Sequence, residues 1–276
     1  MSHIEVRKMT GGCGAEVLGV NLANLSNSDM EAVRQAYVDH GVIFFRDQSI
    51  TPEEHIAFAR RWGDIVINRY FPADQTYPEI AEVRKEKAQT VNIGGGWHTD
   101  HSYDPDPAMG SILVARQLPE TGGDTMFASM YAAYDALSPG LKKTLEGMRA
   151  MHSAMKAFGA SGYYQGGDQS KMKVENEMKE VSHPVIVTHP ESGRKALYVN
   201  LAFTTRFEGW TVQESAPLLN YLIQHGSSPE FACRFQWAEG SIAFWDNRAT
   251  WHYAINDYHG QQRLMHRITV KGVPLG

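Results

Sequence analysis

The chain has 276 residues, a formal net charge of -5, and a composition that is 42% hydrophobic and 21% charged. Those figures suit one large water-soluble domain, with no basic footprint for a nucleic-acid partner and no run near the ~20 apolar residues that a membrane span needs. Two cysteines, Cys13 and Cys233, are too few for a disulfide framework or a cysteine-rich zinc site. Together with an N-terminus, Met1-Ser2-His3-Ile4-Glu5, that lacks the pattern of a secretory leader, they give a cytoplasmic expectation.

Along the chain, Asn27, Ser28 or Asp29 opens a predicted helix that runs to His40 and stops at Gly41, and Val42-Ile43-Phe44-Phe45 reads as a buried strand. Thr51-Pro52-Glu53-Glu54 has a capping threonine, a proline at the first helical position and a glutamate at the third. The helix it starts should turn Ile56, Phe58 and Ala59 inward and end near Gly63. A helix pair is predicted over 129–136 and 139–147. Residues 153–182, with Gly159, Gly162, Gly166 and Gly167 ahead of a charged run, read as a mobile lid or loop. Val185-Ile186-Val187 and Leu197-Tyr198-Val199, around a turn at Glu191-Ser192-Gly193, read as a hairpin. A helix at 211–224 precedes a strand-rich block: Cys233–Trp237, Ser241–Trp245, Thr250–Tyr253 and Leu264–Val270. No repeat or linker divides the chain. The expectation is a single domain, mainly β with flanking helices.

Trp97-His98-Thr99-Asp100 carries the chemistry. On a strand or its end, His98 and Asp100 face one way and Thr99 the other. A histidine and a carboxylate at that spacing, joined by one distant histidine, can form a facial triad on a metal and leave three positions open. His101 has the wrong parity to join them and reads as a supporting or surface residue. His252, in Trp251-His252-Tyr253, is the candidate third ligand, although a histidine between aromatic neighbours is equally readable as core. After a spacer of ten residues, Arg263 follows and shares a strand face with Arg267. Unpaired guanidinium groups are costly to bury, so two inward arginines imply anionic partners. Taken alone they also fit a solvent-facing strand.

The pattern His98-x-Asp100, Thr125 after Gly122-Gly123-Asp124, then His252 and Arg263, resembles the taurine dioxygenase family of 2-oxoglutarate enzymes. The likeness extends over Gly14–Val20, the Thr51–Gly63 helix, Leu118–Thr125, Trp245-Asp246-Asn247 and His266-Arg267. It implies a double-stranded β-helix, the jelly roll of cupin-like proteins. It also implies Fe(II) held by His98, Asp100 and His252, with 2-oxoglutarate and dioxygen as co-substrates. Arg263 and Thr125 would take the distal carboxylate of 2-oxoglutarate, whose oxidative decarboxylation to succinate and CO2 accompanies hydroxylation of a small organic anion. Because Asp100 is present, hydroxylation is expected and not the halogenation of relatives that have a small residue there. By the same resemblance the protein is a dimer or tetramer.

Some residues depart from the taurine enzymes. Arg267, which would hold a sulfonate, is present, but Asn68 stands where a histidine is expected, and Gly94-Gly95-Gly96 replaces polar contacts before the iron motif. Taurine itself is therefore doubtful, and sulfonates, sulfate esters and aryloxyalkanoates are the candidate substrates, with the hairpin sequence leaning toward the last. Phe71, Tyr103, Phe158, Phe203 and Phe207 are candidates for an aromatic pocket. Two other readings stay open: a zinc hydrolase, which gives Arg263 and Thr125 no task, and a non-catalytic binding protein on the same barrel.

Overall fold

The computed structural model describes residues 4–159 and 179–276. In chain order its strands begin with β1 (Glu5–Lys8), β2 (Ala15–Leu18), β3 (Val42–Phe45), β4 (Ile65–Val66), β5 (Ala81–Lys85), β6 (Gly110–Gln117), β7 (Thr125–Ser129) and β8 (Arg149–His152). They continue with β9 (Val181–Pro184), β10 (Ile186–Thr188), β11 (Lys195–Leu197), β12 (Thr204–Phe207), β13 (Ala232–Phe235), β14 (Ile242–Asp246), β15 (Thr250–Ala254) and β16 (Arg263–Val270). The helices are α1 (Asn27–His40), α2 (Pro52–Arg60), α3 (Met130–Asp135), α4 (Pro139–Leu145), α5 (Met155–Phe158) and α6 (Val212–Gly226).

The frame is a jelly roll. A large, mostly antiparallel sheet in the order β1-β2-β3-β14-β6-β16-β4, with β5 also on β16, faces a smaller sheet, β13-β7-β15. Alternation along each strand explains the layering. Phe44, Leu113, Trp245 and Met265 point between the sheets and meet Phe127 and Phe235 from the other side. Their chain neighbours Ile43, Phe45, Ile112, Phe244 and Ile268 point outward, under α1 and α2. Both faces of the large sheet are thus covered, which is why β3 reads as an unbroken apolar run. Behind the small sheet, Ala128 and Trp251 pack with α3, α6 and the β10–β11 hairpin.

The helix ends follow the sequence signals. Ser26 caps α1 by accepting from the Asp29 amide, and Gly41, at φ 71°, ends it in the left-handed conformation. Thr51 and Glu54 form the capping box of α2, which stops at Arg60, short of Gly63. The second helix of the pair stops at Leu145 and not at 147. Strands β1, β2, β4 to β9 and β12, absent from the sequence reading, are supplied by tertiary pairing. The lid or loop expected over 153–182 falls mainly on 160–178, outside the described residues; on its flanks, Met155–Phe158 are helical and Val181 opens β9. No helix among the described residues is long and apolar enough to cross a membrane.

A buried ionic cluster fixes the hairpin to the large sheet. Asp246 accepts from Arg248 Nη2 at 2.6 Å and pairs with His189 Nε2 at 2.9 Å, all three side chains being almost wholly buried. Burial opposes ionisation of Asp246, but Arg248 and His189 outweigh it and hold the carboxyl well below the usual range. A depressed carboxylate contributes stability above its unfolded pKa, about 4, and loses it as the pH falls below that value. Asp246→Ala should cost about 3 kcal/mol at neutral pH, since it leaves the buried Arg248 with only the half-buried Glu191, 2.9 Å from Nη2, as counter-charge. Urea unfolding should show this loss, and it should shrink as the pH is lowered from 5 to 3.

Candidate active site

His98 and His252 face each other across an isolated antiparallel bridge. The His98 amide donates to the His252 carbonyl at 3.1 Å, and the His252 amide to the His98 carbonyl at 2.7 Å. Residues directly opposite in such a pair project to the same side, and the two rings lie 4.0 Å apart. Asp100 follows on that side, and one ligand atom from each of His98, Asp100 and His252 falls within 4.8 Å of the other two. The sequence argument placed His98 and Asp100 on one strand. Instead, His98 is a single bridge residue and Asp100 opens a turn. His101, at φ 60°, carries that turn and is buried, its Nδ1 bound to Asp104 at 2.8 Å, so it supports the loop and is not a surface residue.

The charges in this site suit a divalent cation. Burial pushes both imidazoles below their ordinary pKa, so they are neutral. His98 Nδ1 donates to the Gly96 carbonyl at 2.7 Å, which leaves its Nε2 lone pair facing Asp100. Burial also works against an ionised Asp100, but Arg267, with Nη1 at 3.1 Å, more than offsets it and holds the carboxyl well below the usual range. The other Asp100 oxygen accepts from Ser111 Oγ at 2.8 Å, which in turn accepts from Asn247 Nδ2 at 3.1 Å. Two neutral ring nitrogens and one fixed carboxylate are the donor set of a non-haem iron site. His252 Nδ1 is buried without any hydrogen-bond partner. Asp74, Glu82 and His266 also converge, but their atoms are engaged. Asp74 accepts from the Thr76 and Tyr77 amides, Glu82 pairs with Arg84, and His266 Nδ1 takes Arg116 Nε.

Further inside, Arg263 reaches the same space from β16. It is 4% exposed, and its Nε and Nη2 find no partner among the described residues. Burial pushes the guanidinium below its ordinary pKa, with Tyr258 and Asp124 acting the other way. Thr125 stands beside it on β7, where Oγ1 accepts from Trp237 Nε1 at 3.0 Å. A cavity of about 40 Å³ touches His98, His252, Thr125, Arg263 and Arg267. A five-carbon diacid enters it only as the walls yield.

A second, wider cavity of about 360 Å³ opens outward from His98, between Gly95-Gly96-Trp97 and Ala157, Leu201 and Ala202. Next to it lies an aromatic cluster of Phe71, Tyr103, Phe158 and Phe203, together with Tyr70, which the sequence reading did not select. Phe203 approaches the His98 ring at 6.3 Å, and Arg267 lies 4.5 Å over the Phe71 ring. Phe207 is not among them: it packs behind the small sheet against Trp210, because β12 belongs to the outer layer. Asn68 is turned to the loop, its Oδ1 accepting from the Tyr70 and Phe71 amides and its Nδ2 lying 3.4 Å from His101. Ser111 and Asn247 were missed as site residues; only Asn247 carried a signal, as part of the Trp245-Asp246-Asn247 likeness.

Comparison with known proteins agrees with this geometry. Residues 5–269 match the model of the taurine catabolism dioxygenase TauD, TfdA family. The chain is 36% identical to the alkylsulfatase of Acinetobacter baylyi, over 98% of this chain and 86% of that protein. It is 33% identical to the alpha-ketoglutarate-dependent 2,4-dichlorophenoxyacetate dioxygenase of a Burkholderia species, over 90% and 87%. The crystal structure of AAD-2 in complex with Mn(II) and N-oxalylglycine superposes with a TM-score of 0.82 at 32% identity, covering 99% of each chain. These relatives decide against the hydrolase and the non-catalytic readings. The chain belongs to the taurine catabolism dioxygenase TauD, TfdA family and is a 2-oxoglutarate-dependent dioxygenase.

Proposed function

We propose that the protein is an Fe(II) hydroxylase of small organic anions of the sulfate ester, sulfonate or aryloxyalkanoate class. The observation that carries this reading is the conjunction of two buried, partly unpartnered arginines with a neutral His-Asp-His set in one interior. His98, Asp100 and His252 hold the iron, and Arg263 with Thr125 receives the distal carboxylate of 2-oxoglutarate. Bound there, iron with 2-oxoglutarate and dioxygen supplies the oxidation that yields succinate, CO2 and a hydroxylated substrate.

The chain's own groups position and shield. Gly96 fixes the His98 ring, while Ser111 and Arg267 fix Asp100. Arg267 Nε, buried and without a partner, is left to meet the anionic head of the substrate. Phe71, Tyr103 and Phe203 keep water from the carbon to be oxidised, and Asn68 acts through the loop it caps. The alkylsulfatase and the 2,4-dichlorophenoxyacetate dioxygenase support the substrate classes. A homo-oligomer in the cytoplasm, where the free thiols of Cys13 and Cys233 stay reduced, belongs to the same proposal, as does a single domain.

Succinate release should be stimulated strongly by one of the three classes when the Fe(II) protein is given each in turn. Silence across the panel, with 2-oxoglutarate still bound, would sink the substrate reading and leave the enzyme class intact.

A further inference from the structure

The wider cavity has a shape that the family chemistry does not require. Among the described residues its walls are apolar or backbone, apart from His98 and from Lys156, whose Nζ is drawn across the rim to the Leu201 carbonyl at 2.7 Å. The aliphatic stem of that lysine completes the wall. Leu201, 44% exposed, stands at the mouth of the cavity. His98 is common to both cavities. A substrate whose head meets Arg267 can therefore extend past His98 into this space.

The three glycines before the iron motif are not equivalent. Gly94, at φ 80°, needs its conformation, and a side chain there would press on His98 Cε1 at 3.2 Å. A Cβ on Gly95 would meet Asn92 Oδ1 at 2.8 Å. Gly96 has an ordinary backbone, and its Cβ would meet only Leu201 Cδ2, at 3.9 Å. Nothing in the fold demands a glycine at 96, yet a larger residue would grow into the cavity. Its carbonyl, which holds His98, is main chain and survives substitution.

We propose that Gly96 is the specificity-determining residue that sets how large an apolar body the substrate carries behind its anionic head. The inference rests on the reading above that the substrate is a small organic anion. At about 360 Å³ the space is that of a small ligand pocket, far more than a two-carbon sulfonate fills.

The test is calorimetric titration of the protein loaded with metal and 2-oxoglutarate, with dioxygen excluded, so that binding is read without turnover. The probes are n-alkyl sulfates from ethyl to octyl, and phenoxyacetate. For the natural protein, affinity should rise about fourfold per added methylene until the cavity is full. Gly96→Val should weaken octyl sulfate at least tenfold more than it weakens ethyl sulfate, with Gly96→Ala in between and metal content equal in all three. Equal weakening at every length would place the head at Gly96 and overturn the proposal; so would no change at any length, or loss of metal in both variants. If no probe binds the natural protein, the substrate reading falls along with this one. If the probes bind but ignore residue 96, only this inference falls.

Discussion

Asp100→Ala should abolish coupled oxidation, with succinate and hydroxylated product both reduced by more than ~1,000-fold, because two effects coincide in one substitution. The metal loses its only anionic ligand, and Arg267 Nη1 loses the carboxylate it holds at 3.1 Å. A buried guanidinium left without a counter-charge costs about 3 kcal/mol, so the melting temperature should fall as well. Equilibrium dialysis should show metal affinity lowered by more than ~100-fold, beyond the ~10–100-fold that loss of a supporting contact alone produces. Asp100→Asn separates the two effects: it keeps the shape, restores part of the stability and leaves the oxidation dead. Full activity in either variant would remove Asp100 from the ligand set.

The second large effect has opposite signs in two measurements. Arg263 is buried with Nε and Nη2 unpaired, a state that the fold tolerates at a cost. Arg263→Met should therefore stabilise the ligand-free protein by about 1 kcal/mol, as replacement of buried charge by a matched apolar side chain often does. The same change should raise the KM for 2-oxoglutarate roughly 100-fold or more, because a desolvated charge pair is lost. Arg263→Lys should not restore affinity, since a point charge cannot reproduce the planar fork. A destabilised Met variant with an unchanged KM would mean that Arg263 serves the core and not the co-substrate.

Much of this architecture was legible because strand parity is a local property. Arg263 and Arg267 share a face whatever else β16 does, and the alternation in Val42–Phe45 holds in the folded chain. The helix caps at Thr51 and Ser138 were legible for the same reason. What escaped depends on partners far away in sequence. Ser111 sits in the run Gly110–Ala115, where nothing distinguishes a serine that orients Asp100 from one that fills a gap. Strand β5 exists because β16 pairs with it, and Asn68 is turned to its own loop because its Oδ1 accepts from the Tyr70 and Phe71 amides. Phe207 looked like its aromatic neighbours until the layer of β12 was known.

The Trp237–Thr125 hydrogen bond has a directional consequence. An indole nitrogen can only donate, so Thr125 Oγ1 is the acceptor in that pair and its own proton must point elsewhere. Arg263 likewise offers only N–H groups. The inner end of the cavity thus offers chiefly protons toward a ligand, from the guanidinium and from the Thr125 hydroxyl, one of whose lone pairs Trp237 occupies. A carboxylate satisfies such a surface completely. A primary amide of the same shape brings two protons of its own, and proton faces proton. The site can in this way tell an acid from its amide without any difference in size, and a single tryptophan, itself out of reach of the ligand, sets that polarity.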